Sequence, residues 1–438
     1  MKEINGLQRN IGLPQAIALY IGAVLGSGVL IVPGLAAEMA GPASLLAWGF
    51  MTLLILPMAL SMGLLSAKFP NAGGVSHFVT LAFGPRAGAL VGWFFLMSVP
   101  IGGPVAALTG AGYMTAAMGW GDSARIAIAA AMLAIGLLTN WIGMQVAGKV
   151  QIAVVIAIVA VLVFAFAAAL PRMEVQHFTP FAPHGWMSVG RAAAILFWCF
   201  IGWEAVSHLS EEFKDPQRAA VTGVTIAAII VGILYFLSAL ATVGTQSYLK
   251  GGSSTSLVWI ISQPLGAWGG FIAGVTGLFI CTATIIAYTG AASRVAFALA
   301  RQEYAPKWMG KLSKRYHTPT GAIGFLLICF VSVLFLYGSG FLSITTLIQF
   351  PNATFILTYM GGCAAGIRLL KGSRLGVTIS WISFLATAAV FPFTGWAIGY
   401  PLLITLFFIL IVFFNNKQMS SGQEVPTTGI NEIERKVL

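Results

Sequence analysis

Read as hydrophobic against polar positions, the chain is a series of long apolar runs joined by short polar loops. A membrane helix needs about 20 mostly apolar residues. Twelve runs meet that length, at roughly 12–37, 43–66, 87–117, 125–144, 148–170, 188–210, 221–244, 267–293, 320–338, 341–366, 376–394 and 397–415. They are far longer than the ten-residue alternating strands of a membrane barrel. The pattern predicts an all-α polytopic membrane protein with 12 transmembrane helices. Residues 1–415 form one membrane domain, and the sequence turns polar from Asn416, so 416–438 reads as a cytoplasmic tail. Residues 1–10 are polar, and the first run holds glycines but no A-x-A pattern after a short core, so no cleaved leader is expected.

Composition narrows the class. Of 438 residues, 58% are hydrophobic and only 8% charged, against roughly 25% charged in soluble domains. So few charges cannot cover a soluble globule of this size. The net charge of +11 is topological, and no nucleic-acid partner is expected. With twelve spans, the termini and loops 67–86, 145–149, 211–220, 294–319 and 367–375 share one side and hold 19 of the 23 Lys and Arg residues. Only Arg125, Arg172, Arg191 and Lys250 lie opposite. This bias places both termini in the cytoplasm. Cys199, Cys281, Cys329 and Cys363 sit singly in apolar runs and read as small buried hydrophobes, not as a disulfide or metal framework.

Two spans are interrupted. The first carries Gly26-Ser27-Gly28 at its middle, followed by Pro33-Gly34. Glycine weakens a helix and lets other groups approach the backbone. A close helix-packing face would use the same residues. Unwound backbone lining a cavity would instead present amide N–H groups to an anion. The sixth span breaks the tie: Gly202 interrupts Phe197-Trp198-Cys199-Phe200-Ile201-Gly202-Trp203-Glu204. Breaks in spans one and six are the pattern of two inverted repeats with a substrate site between the broken helices. The repeats are expected at 12–170 and 188–366, with two extra helices at 376–415. Amides facing carbonyls suit the zwitterionic head of an α-amino acid.

Glu204 is the one acidic residue deep in a predicted span, and His208 follows four residues later on the same helical face. A carboxylate in a membrane is costly and marks function by default. Desolvation favours its protonated form, so a Glu204–His208 pair suits proton coupling. A buried structural hydrogen bond from Glu204, and a His208 merely at the cytoplasmic mouth, are the alternatives.

These residues resemble the amino acid–polyamine–organocation superfamily. The resemblance rests on Ile21-Gly22 with Gly26-Ser27-Gly28 and Pro33-Gly34, on Phe69-Pro70-Asn71-Ala72-Gly73-Gly74 with Ala82-Phe83-Gly84-Pro85, on Glu211-Glu212-Phe213-Lys214-Asp215-Pro216-Gln217-Arg218, and on Ser293-Arg294 with Ala298-Leu299-Ala300-Arg301. It covers residues 12 to about 320 and implies a five-plus-five inverted repeat (LeuT-like) with helices 1 and 6 broken. Within the superfamily, Phe197 to His208 and Gly73-Gly74-Val75-Ser76-His77-Phe78 are similar to bacterial exporters of methionine and branched-chain amino acids. That similarity implies efflux of neutral amino acids, not an enzyme, with no cofactor and an ion gradient as driving force. By the resemblance, Gly26, Ser27 and Gly28 hold the substrate carboxylate, and carbonyls near Phe200, Ile201 and Gly202 hold the ammonium. Trp198 and Ile201 line the side-chain pocket, Tyr288 forms an aromatic lid, and Gly103 and Ala106 face the site from the third helix. Packing roles for Trp198 and Tyr288 remain open, and Asn352 reads better as an interhelical hydrogen bond than as a gate.

One departure bears on coupling. Proton-coupled relatives often carry a lysine in the fifth helix, whereas Val150 to Leu170 has no charged residue and Lys149 sits at the cytoplasmic end. Glu204 with His208 is then the titratable candidate, and sodium on Thr282 and Thr284 is the alternative. With no second charged group in the pocket, neutral substrates such as methionine, leucine, isoleucine and valine are expected. A membrane enzyme would need a metal-binding or nucleophile–base cluster; the closest approach is His177 and His184 with Glu174. A channel would need repeated charge rings or filter sequences, and none occurs. Oligomeric state has no sequence signature here.

Overall fold

The computed structural model describes residues 12–69, 74–143, 148–203 and 214–421. Among these there are helices and no strands. The first apolar run is two helices, α1 (Leu13–Val24) and α2 (Gly28–Ala40), followed by α3 (Ser44–Lys68). Next come α4 (Gly74–Phe83), α5 (Pro85–Met118), α6 (Asp122–Ile142) and α7 (Gly148–Ala169). The sixth run begins as α8 (Met187–Leu196), tightens into a 3-10 turn at Phe197–Phe200, and loses helical geometry at Ile201 and Gly202. Then follow α9 (Val224–Thr245), α10 (Ser256–Arg301), α11 (Thr320–Gly338), α12 (Ile344–Leu369), α13 (Arg374–Val390) and α14 (Gly399–Ser421). Among the described residues, eight stretches are long and apolar enough to cross a membrane, and this is a multi-pass membrane protein.

Three features depart from the sequence pattern. Within the polar connection 67–86 lies α4, whose Val75, Phe78, Val79 and Ala82 are buried. Their i, i+3, i+4, i+7 spacing makes one apolar stripe, which packs on α5 and α12. The eighth run extends both ways into α10, with a kink at Gly266 (φ 59°, ψ −143°) that marks the expected start at 267. At the other end of the chain, α14 continues to Ser421 and so passes the boundary expected at 415.

Hydrogen bonds tie helix ends together at two poles, from side chains at one and from the backbone at the other. At one, Lys68 Nζ donates to Leu369 O (2.9 Å) and Thr318 Oγ1 to Trp141 O (2.7 Å). At the other, Ala43 N–H donates to Phe181 O (2.8 Å) and Glu174 N–H to Gly244 O (3.2 Å). The first pole carries the basic loops. Of the basic residues away from it, Arg125 donates Nε–H to Leu108 O (3.0 Å) and lies over the Tyr337 ring at 5.7 Å.

The largest interface joins α5 and α10. It is built from small residues, as membrane helices require for close approach. A Cβ on Gly110 would meet Cys281 Cβ at 2.9 Å, and one on Gly277 would meet Tyr113 Cβ at 3.0 Å. Tyr113 in turn donates its hydroxyl to Leu30 O, which anchors α2 against this pair. The two breaks are thereby held at the centre of the bundle.

Candidate functional site

The first break is short and made of small residues. Leu25 N–H still reaches Ile21 O (2.8 Å), but Gly26 N–H turns back to Val24 O (2.8 Å) and α1 ends. Helix α2 restarts at Gly28 with Ser27 as its N-cap. The Ser27 side chain makes no capping bond. The first N–H groups of a helix have no intrahelical partner, so this restart is a concentrated donor site with partial positive charge.

The second break lies against the first. Gly202 has φ +127°, a conformation that L side chains rarely adopt. A Cβ there would fall 2.4 Å from Ala23 O and 3.1 Å from Val24 Cα. Glycine at 202 thus serves two needs: the backbone turn and the close approach of the first break. Its N–H donates to Tyr359 Oη (3.3 Å) on α12. Gly28 is equally tight, since a Cβ would sit 3.0 Å from Cys199 Cα and 3.1 Å from Trp198 Cδ1.

Tyr235 on α9 joins the two breaks. Its hydroxyl lies 2.8 Å from Val24 O and 2.9 Å from Cys199 O, so one proton is shared between the end of α1 and the 3-10 turn. Its ring packs edge-on against Phe200 (5.3 Å) and Trp48 (5.8 Å). A buried tyrosine hydroxyl needs a partner. That rule could have drawn attention to Tyr235, which lies unmarked in an apolar run.

Between the breaks lies a cavity. Gly26, Ser27, Gly28, Gly103, Ala106, Trp198, Ile201 and Tyr288 line it. So do Ala23, Val24, Ser98, Val99, Gly102, Thr284, Ile285 and Phe355, which the sequence reading did not assign to the pocket. None of these residues is charged. Phe200 and Gly202 stand behind the wall: the Phe200 ring packs on Trp48 and Tyr235, and Gly202 packs on Ala23. Trp198 is half-buried with its ring edge against α5, where a Cβ on Gly102 would meet Cη2 at 2.9 Å. Gly103, one position on, faces Phe330 at 2.9 Å instead. Tyr288 stacks on Phe95 (6.4 Å) and meets Phe355 edge-on (6.5 Å).

Other candidates are spread more widely. Thr284 faces Gly26, with its Oγ1 3.3 Å from where a Cβ would be, and donates to Ile280 O (3.0 Å). Thr282 does not line the cavity and donates to Leu278 O (2.7 Å). Asn352 donates Nδ2–H to Ala194 O (3.2 Å) and Ile195 O (3.3 Å) across helices. His177 contacts Gly244 O and Glu174, whereas His184 lines a different cavity. Among the described residues no three His, Cys, Asp or Glu side chains gather. Glu204 and His208 lie outside the described residues.

An amino acid permease family model matches residues 11–431. The chain belongs to that family. It is therefore a transporter of the amino acid–polyamine–organocation superfamily and not an enzyme. This permease is 39% identical to an uncharacterized amino acid permease, YecA, of Bacillus subtilis over 90% of this chain and 93% of that protein. It is 31% identical to the L-methionine/branched-chain amino acid exporter YjeH of Escherichia coli over 92% of this chain and 95% of that one. The branched-chain amino acid permease BcaP of Bacillus subtilis is 26% identical over 73% of each chain.

Proposed function

We propose that this permease is a secondary carrier of neutral, hydrophobic L-amino acids, methionine, leucine, isoleucine and valine. It exports them across the bacterial cytoplasmic membrane in exchange for protons by alternating access. The observation that carries the reading is the cavity between two abutting helix breaks, lined among the described residues by backbone, aromatic, aliphatic and small side chains and by no charge. In this reading twelve helices cross the bilayer with both termini in the cytoplasm. Residues 12–170 and 188–366 are the inverted repeats, and 376–415 adds two helices.

The chemistry follows from the ends of the broken helices. Amide N–H groups of Ser27 and Gly28 receive the substrate carboxylate, favoured by the α2 dipole. The carbonyl of Ile201, the one residue of the 200–202 turn in the cavity wall, receives the ammonium. The Val24 and Cys199 carbonyls are less available, because Tyr235 already donates to them. Trp198, Ile201, Tyr288 and Phe355 enclose the side chain. A charged side chain would enter this wall without a partner, at the cost of its desolvation. The names of two relatives support the same substrate class: one exports methionine and branched-chain amino acids, and another is a branched-chain permease. Glu204 with His208 supplies the proton site, and sodium at Thr284 beside Gly26 is the competing coupling.

Proteoliposomes loaded with unlabelled leucine should accumulate labelled leucine or methionine by counterflow, and labelled glutamate or lysine should not accumulate. Uptake into inside-out vesicles driven by a pH gradient separates export from import or exchange on the same fold. A non-saturating conductance would replace the carrier reading with a channel.

A further inference from the structure

A second cavity, with an empty volume of about 1020 Å³, opens at the end of α2 away from the basic pole. Its walls come from α2, α8, α12 and the turn between α13 and α14. Glu38, Arg191 and His184 line it alongside Met39, Phe393 and Trp396. Glu38 and Arg191 are opposite charges facing one space, yet among the described residues neither is in an ion pair. Both side chains are exposed. They lie farther apart than a salt bridge allows, which leaves room for a group between them.

The floor adds an independent sign. Asn352 is 1% exposed and lines the cavity beside Gln349, three residues earlier on the same helix face. Its Nδ2 is committed to the carbonyls of Ala194 and Ile195. The opposite amide orientation would set Oδ1 against two carbonyl oxygens, so the network fixes the assignment. Oδ1 is left buried without a hydrogen-bond partner. A buried amide oxygen of this kind calls for a donor.

We propose that this cavity binds a small zwitterion, an α-amino acid, at a site separate from the one between the breaks. Arg191 takes the carboxylate and Glu38 takes the ammonium. Phe393, Trp396 and Ile195 accept an apolar side chain. Arg191, Ala194 and Ile195 share a face of α8, the helix that leads directly into Trp198 and the second break. The ligand chemistry, an ammonium next to an anion, is also that of a phosphatidylethanolamine headgroup, and the test separates the two sources.

The permease is labelled with 5-fluorotryptophan, placed in nanodiscs free of phosphatidylethanolamine, and titrated with L-methionine. Resonances of Trp396 and Trp198 are assigned with Trp396→Phe and Trp198→Phe. In a Ser27→Leu background, where the central site is blocked, the Trp396 resonance should still shift and saturate. Arg191→Gln and Glu38→Gln should each weaken that response at least tenfold. The proposal is overturned if Trp396 does not respond to methionine, or if its response survives both substitutions. A response to phosphatidylethanolamine content in place of methionine also overturns it and assigns the site to a headgroup. The central site is read separately, from a wild-type Trp198 shift that Ser27→Leu removes, so each site can fail without the other.

Discussion

The two breaks meet at one point but are built in opposite ways. The first is Gly26-Ser27-Gly28, with nothing larger than a hydroxymethyl group, and its backbone stands open to the cavity. The second is Trp198-Cys199-Phe200-Ile201-Gly202, bulky except at Cys199 and Gly202. One break offers reachable backbone; the other offers walls. In the proposed function, this division lets a cavity with no charged side chain among the described residues hold a doubly charged head group and an apolar tail together. It also explains why Gly28 and Gly202 are needed where they are: each lets its own break lie against the backbone of the other.

Substitutions at this junction break the comparison to different degrees. Gly202→Ala should have the largest effect. It combines an unfavourable φ with a Cβ 2.4 Å from Ala23 O, and we expect a loss of the order of 4 kcal/mol, read as a collapse in thermal midpoint and in transport. A normally folded, active Gly202→Ala would show that the breaks need not abut. Tyr235→Phe keeps the ring against Trp48 and Phe200 but removes the hydroxyl shared by Val24 O and Cys199 O. The expected cost is about 1–2 kcal/mol, seen as a lower midpoint in a folded protein with weaker leucine binding. Stability equal to wild type would mean that the two breaks are held by other contacts.

Gly102→Ala should be milder and more informative. The new methyl pushes on Trp198 and narrows the side-chain pocket. Methionine binding should fall about tenfold relative to alanine, since one methylene in a pocket is worth about 1–3 kcal/mol. Gly103→Ala presses on Phe330 instead and should leave that ratio nearer wild type. Equal selectivity changes in both variants would count against Trp198 as the size-setting wall. The smallest structural disturbance is Glu204→Gln. Transport by this variant should lose its pH dependence while substrate binding persists, and an unchanged pH profile would move coupling away from Glu204.

Much of this site was readable because the signals are local. Glycines in an apolar run, a tryptophan before the break and a tyrosine in the eighth run are visible in the chain itself, and Gly26, Ser27, Gly28, Trp198, Ile201 and Tyr288 all meet at the cavity. What escaped depends on helix rotation and on distant partners. Gly102 and Gly103 differ by one residue, or about 100° around α5, and that decides which faces Trp198. Ser98, Ile285 and Phe355 have nothing in their own segments to mark them, because their role is set by which helices α5, α10 and α12 face. Phe200 was named for its carbonyl, and its ring turned out to be the packing partner of Tyr235. The α4 stripe of Val75, Phe78, Val79 and Ala82 was present in the sequence but hidden inside a polar connection.

Binding of labelled L-leucine to purified wild-type permease and to Ser27→Leu tests the central claim most directly. At concentrations that saturate the central site, leucine should protect the wild type against thermal unfolding, and unlabelled methionine, isoleucine and valine should compete while glutamate and lysine do not. Ser27→Leu, with a side chain filling the space before the α2 amides, should fold normally and lose that high-affinity protection. Undiminished protection in Ser27→Leu, or equal competition by charged amino acids, would contradict the assignment of the cavity between the breaks as a site for neutral amino acids.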